Sequence, residues 1–233
     1  MSIRDKKLVS NEYYHIYNRG NGKHDIFLDE EDYSRFIKIL YVCNSERSFN
    51  FRNSIIDPKI DAFVFERGAP LVSVLSWVLM PNHFHIVLIS PRSDLGEGYN
   101  PISEFMRKVS TAYVMYFNKK YERTGGLFEG RFKSRHIGEE NYFNYIFSYV
   151  HLNPIKLIQK DWKEKGIRNK KEAINYLKKY KYSSYLDFTG EKRPQNKLLN
   201  FDALPEYFLK NKFFIKEIFE WLNIKRRQDS QVG

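Results

Sequence analysis

Cysteine is almost missing from this chain. Cys43 is the only one in 233 residues, so no disulfide can close within the chain and no cysteine-rich zinc site can be assembled. A reducing compartment is the expectation. Also missing is any apolar run of membrane-spanning length, and the opening stretch MSIRDKKLVSNEYYHIYNRG carries early charge but lacks the apolar centre and small-residue cleavage site of a secretion signal. There is no internal repeat and no long low-complexity tract. These absences predict a soluble, cytoplasmic protein without a membrane partner.

What is present is aromatic and basic. Nineteen Phe and 17 Tyr bring the aromatic share to 17% within a hydrophobic share of 42%, ample for a folded core domain with additions. Lys and Arg total 39 against 28 Asp and Glu, a net charge of +11. That balance attracts phosphate polymers and speeds encounter with them. A solvated basic surface explains the same charge, so the motifs must decide.

Along the chain, residues 13–18 (YYHIYN) read as a strand ending in the turn-rich Asn18, Arg19, Gly20, Asn21, Gly22. Residues 29–42 open with acids and place Tyr33, Phe36, Ile37 and Leu40 at helical steps. Residues 44–70 lose periodicity and read as an extended or partly ordered insertion. Two β-rich runs follow at 71–80 and 83–90, divided only by Pro81 and Asn82, as antiparallel neighbours across a tight turn. Residues 101–121 form a helix with Pro101 in its first turn and a stripe of Phe105, Val109, Ala112, Tyr113, Tyr116 and Phe117, to be ended by Gly125 and Gly126. Residues 127–137 read as a turn and a strand with Arg131, Lys133 and Arg135 on one face, suited to a phosphate backbone. Residues 139–152 form a helix that Pro154 should end. Beyond it lie a helix near 169–180, a turn-rich stretch KYSSYLDFTGEKRPQN, and a helix or two across 202–224. The order predicts an α+β fold, a largely antiparallel sheet with helices packed on it.

His83 and His85 flank Phe84 on a strand, so both imidazoles face one way, about 7 Å apart at the backbone. Six histidines in 233 residues give about 0.13 such pairs by chance, so the pair alone is weak evidence for a metal site. Tyr149 and Asn153, four apart, share a helix face and offer a phenol and a neutral oxygen ligand. Because Asn153 precedes proline, its side chain is expected to depart from the helical direction. Together these groups suit transesterification: a divalent ion polarises a scissile phosphate while the tyrosine oxygen attacks phosphorus. Two neutral imidazoles and an amide leave the cation's charge for an anionic phosphate, which fits Mg²⁺ or Mn²⁺, with zinc also compatible.

Several segments, YYHIYNRG at 13–20, WVLMPNHFHIVL at 77–88, YFNKKY at 116–121, LFEGRFKSR at 127–135 and YVHLNPIK at 149–156, together resemble the single-tyrosine insertion-sequence transposases of the HUH endonuclease superfamily. Within them, the likeness is to the group associated with repetitive extragenic palindromes. The resemblance implies a ferredoxin-like core, metal binding by His83, His85 and Asn153, and Tyr149 as the nucleophile. It also implies phosphate contact through Arg131, Lys133 and Arg135. The implied substrate is single-stranded or hairpin DNA, cleaved to a 5′-phosphotyrosine and a free 3′-hydroxyl and then rejoined, by a monomer or homodimer. On this reading residues 1–156 are the core, interrupted at about 44–70, and residues 157–233 are a basic helical C-terminal extension. Two rivals keep the DNA partner: a catalytically silent hairpin-binding regulator, and a rolling-circle-type replication nickase. Tyr142 and Tyr145 are alternative nucleophiles, but neither opens the Tyr-x-x-x-Asn-Pro segment. His15, His24, His136 and His151 receive no catalytic role.

Overall fold

The computed structural model describes residues 8–47, 61–90, 99–206 and 218–220. Its four strands are β1 (Tyr13–Arg19), β2 (Ser73–Met80), β3 (His83–Ile89) and β4 (Lys133–Ile137). They lie in the order β2-β3-β1-β4 with every neighbouring pair antiparallel. The longer helices are α1 (Glu30–Cys43), α2 (Pro101–Lys120) and α3 (Glu140–Leu152), followed by α4 (Trp162–Lys165), α5 (Lys170–Leu177) and α6 (Tyr185–Phe188). Chain order and strand order together are those of a ferredoxin-like sheet. The α+β class expected from the sequence is therefore what the chain forms.

Helices α1 and α2 cover one face. Asp29 caps α1 by accepting from the Asp32 amide, and Asn100 caps α2 by accepting from Ser103, with Pro101 at the first helical position where its missing N–H costs nothing. Their apolar stripes meet Ile16, Trp77, Phe84 and Ile86 in one cluster with Phe36, Leu40, Phe105, Val109, Tyr113 and Phe117. Helix α2 ends at Lys120, capped by Tyr121, ahead of the glycines expected to stop it.

The loop after β1 has little freedom. A Cβ on Gly20 would meet the His24 carbonyl oxygen at 2.1 Å, so only glycine fits the close approach. From this loop the Gly20 amide donates to Asn82 O, and Ile26 and Phe27 donate to Pro81 O. The β2–β3 turn, from which His83 emerges, is thereby held by backbone bonds.

Helix α3 covers the opposite face, where Phe143, Ile146, Phe147 and Val150 pack on Leu75, Val78, Met80, Val87 and Ile137. A bulge between Val74 and Ser76 resets the alternation of β2, letting Trp77 and Leu79 join the first cluster and Val78 and Met80 the second. The α-helix ends at Leu152, two residues before Pro154, as the sequence predicts, yet the chain does not leave the helical path. Asn153 keeps helical dihedrals (φ −54°, ψ −39°) and the chain tightens into a 3-10 turn over Asn153–Leu157. Proline stands in the first turn of that segment, where no N–H is required, and burial of Pro154 and Ile155 holds it there.

The residues beyond α3 close the exposed edge of β2. Leu79 donates to Tyr182 O, Ser184 to Trp77 O, and Asn200 to Val74 O, while Ser184 Oγ accepts from the Trp77 amide. Every residue of β2 is buried as a result. The insertion is described only at its ends, where 61–70 holds a single 3-10 turn (Ala62–Val64). Residues 48–60, and 207–217 and 221–224 of the expected last helices, lie outside the described residues.

Candidate functional site

The second face of the sheet carries the histidine pair. Register places Tyr17 opposite both His85 and Lys133, and His15 opposite Val87 and Arg135, so strand alternation gathers His15, Tyr17, His83, His85, Lys133 and Arg135 on the side covered by α3. Across this face Tyr149 sets its ring edge-to-face on His85, with centroids 5.4 Å apart. The two imidazoles of the pair stand 5.1 Å apart. Tyr145, one turn earlier, stacks on Tyr149 at 6.3 Å, and Trp162 stacks on it at 6.1 Å.

The ring nitrogens are distinguishable. Asn82 donates through Nδ2 to Lys23 O at 3.1 Å, so its Oδ1 is an acceptor. His83 Nδ1–H therefore donates to Asn82 Oδ1 at 2.5 Å, which puts the lone pair of His83 on Nε2. His85 Nδ1 pairs with His15 Nε2 at 2.9 Å. Its Nε2 is buried with no hydrogen-bond partner, and so is Oδ1 of Asn153. Buried polar atoms left without partners are rare and costly. Of nine such side-chain atoms among the described residues, these two come from residues already singled out as metal ligands and lie beside Tyr149.

Asn153 retains the helical direction, contrary to the departure expected of a residue before proline, and so stays on the face of Tyr149. Its amide acts on both neighbours, raising the His83 imidazole and lowering the Tyr149 phenol. Burial dominates the titration of all three site groups. It holds His83 down to about 4, helped by Lys156, and holds His85 well below the ordinary value, helped by His15. It raises Tyr149, against which the Lys163 ammonium, 5.1 Å from the ring centroid, favours the phenolate.

Neutral buried imidazoles make the fold acid-labile. Burial lowers His15 from 6.5 to about 4 and His151 from 6.5 to about 3. A group whose folded value is depressed takes up protons first in the unfolded chain, so its stability is complete above pH 6.5 and is lost as pH falls towards the folded value. Each ring then weakens the fold by about 1.4 kcal/mol per pH unit in that window. Urea midpoints measured from pH 7 to pH 4 should fall steeply below 6.5; a flat profile would contradict this.

Of the basic residues expected to line one strand face, Lys133 and Arg135 do so, with Arg135 over the Tyr142 ring at 4.7 Å. Arg131 does not, because β4 begins only at Lys133 and Arg131 is exposed in the turn before it. Among the described residues no three His, Cys, Asp or Glu side chains are grouped to hold a metal; the donors present are two imidazoles and an amide. Sequence reasoning passed over His15, Lys156, Trp162 and Lys163. His15 becomes visible once β1 is known to pair with β3, and Lys163 only once α4 is known to fold back on Tyr149.

No protein-family model and no curated protein sequence matches the chain. Among solved structures, it is similar to a REP-associated tyrosine transposase bound to a REP hairpin, with a TM-score of 0.48 and 12% identity over 88% of this chain and 98% of that one. It is also similar to a bacterial tRNA(His) guanylyltransferase-like protein in complex with ATP, with a TM-score of 0.37 and 14% identity over 88% of this chain and 78% of that one. Neither likeness assigns the chain to a family.

Proposed function

We propose that the protein is a DNA-nicking and joining enzyme of the single-tyrosine transposase type, acting on single-stranded or hairpin DNA. The observation that carries this reading is the convergence of a helix-borne phenol on two imidazoles beside two partnerless buried ligand atoms, His85 Nε2 and Asn153 Oδ1. A packing role for Tyr149 accounts for the ring contacts but leaves both orphaned atoms unexplained. The sequence segments that resemble the transposases contain each of these residues.

The residues fit a divalent cation such as Mg²⁺ or Mn²⁺, which would be held by His83 Nε2, His85 Nε2 and Asn153 Oδ1. When bound, it polarises the scissile phosphate as a Lewis acid. Tyr149 supplies the nucleophile: its oxygen forms a bond to phosphorus, the bond from phosphorus to the 3′ oxygen breaks, and that oxygen leaves as a hydroxyl after taking a proton. Lys163, above the Tyr149 ring, favours the deprotonated phenol, and the surrounding rings fix its direction of approach. Lys133 and Arg135 extend the face from which the DNA backbone is gripped. The phosphotyrosine conserves the energy of the broken bond for rejoining.

The test is incubation with a panel of single-stranded hairpins and Mn²⁺ or Mg²⁺, followed by a denaturing gel. A band of protein covalently joined to DNA, lost on chelation with EDTA, is expected. Binding to hairpins without any adduct would identify a binding module instead.

A further inference from the structure

His15, which contacts His85, is given no chemical role above. His15 comes from β1, one alternation step from the Tyr17–His85 pair, and reaches diagonally so that its ring stacks on His85 at 4.9 Å and 29°. Its own other side is stacked by Tyr17 at 5.0 Å, and the residue is 6% exposed. The 2.9 Å separation of His15 Nε2 and His85 Nδ1 requires one proton between them, and only two arrangements supply it.

If His15 donates, neutral His85 must carry its proton on Nε2, and the result is an N–H buried without an acceptor. If His85 donates through Nδ1, its Nε2 holds a lone pair directed to the same place as the Nε2 of His83. His83 shows the matching pattern, its Nδ1–H being spent on Asn82. We propose that His15 is a positioning residue: it accepts the Nδ1–H of His85, fixes that tautomer and ring orientation, and so presents Nε2 as a metal ligand. A ligating histidine held through its other nitrogen is the general pattern of well-built metal sites. This inference rests on the site reading above, since the lone pair matters to function only where a cation is held.

The experiment pairs metal binding with a direct view of the proton. Mn²⁺ binding by calorimetry, without DNA, is compared for wild type, His85→Ala, His15→Phe and His15→Gln. The imidazole ¹⁵N spectra of the metal-free proteins report the tautomer of His85. Expected are Nδ1–H at His85 in wild type, Mn²⁺ affinity about 10- to 100-fold weaker in His15→Phe, and recovery in His15→Gln, whose amide oxygen can accept the same proton. Hairpin affinity without metal shows that each variant is folded. If His15→Phe does not fold, the wild-type tautomer and His15→Gln still decide. An Nε2–H tautomer in wild type, or wild-type affinity in folded His15→Phe, overturns the positioning role and leaves the metal site standing. Mn²⁺ affinity unmoved by His85→Ala overturns the site reading, and this inference with it.

Discussion

Tyr149→Phe is expected to lose the covalent protein–DNA adduct by at least about a thousandfold while binding hairpin DNA as wild type does. The substitution deletes one oxygen. It keeps the ring that meets His85 edge-to-face at 5.4 Å, stacks on both Tyr145 and Trp162, and lies under Lys163. Apart from the hydrogen bond between the phenol and Asn153, the contacts that shape the site are kept, and unchanged hairpin binding would show that a loss of adduct reads on chemistry and not on folding. Tyr142 and Tyr145 remain in the variant on the same helix, and an adduct that persists would move the nucleophile to one of them. Loss of both adduct and hairpin binding would show that the phenol holds the DNA in place instead of attacking it.

A second large effect is expected far from the site. Asp32 is fully buried at the start of α1, where its carboxylate accepts from the Leu28 amide at 2.8 Å, Tyr116 Oη at 2.9 Å, Tyr121 Oη at 2.8 Å and Lys120 Nζ at 3.0 Å. This single side chain fastens the first turn of α1 to the last turn of α2. Asp32→Ala strands the Leu28 amide and removes the acceptor of the Tyr116 hydroxyl, although Tyr121 keeps Asp29 at 3.3 Å and Lys120 keeps Asp29, Glu31 and Tyr116. The loss should be about 3 kcal/mol, at the lower end for a broken buried pair. In a chain of this size that lowers Tm by roughly 6–12 °C. Asp32→Asn retains an acceptor and should lose less. Thermal unfolding of both variants tests the claim; a shift of only a degree or two in the alanine variant would show that the network contributes little.

Much of this architecture is written in short-range pattern. The acids that open α1, Pro101 in the first turn of α2, the stripes of both helices, and the hairpin split at Pro81–Asn82 are all local signals, and all correspond to elements the chain forms. Alternation placed His83 and His85 on one face, and a four-residue step joined Tyr149 to Asn153. Long-range pairing was not legible. Nothing in YYHIYN states that its strand will lie beside HFHIVLI, yet that neighbourhood alone brings His15 to His85. The rule for residues before proline misjudged Asn153 because it describes an isolated dipeptide, whereas here Pro154 and Ile155 are buried and the helical path is held by packing. Arg131 was misplaced for a related reason: alternating basic and aromatic residues at 127–137 suit a strand, but the turn at Gly130 (φ 72°) delays its start.

The segments laid along β2 have a consequence for how copies of the protein meet. A sheet edge with free amides and carbonyls is a template on which another chain can grow a strand, and β2, apolar but for Ser73 and Ser76, would be a dangerous one. Residues 182–184 and 199–200 occupy that template from within the same molecule. The other outer strand is protected by different means: β4 is five residues long and reads KSRHI, too short and too charged to recruit a neighbour readily. Among the described residues, then, the tail beyond α3 acts as an intramolecular substitute for a foreign strand. Truncating it before Tyr182 would expose the β2 edge as an aggregation-prone surface.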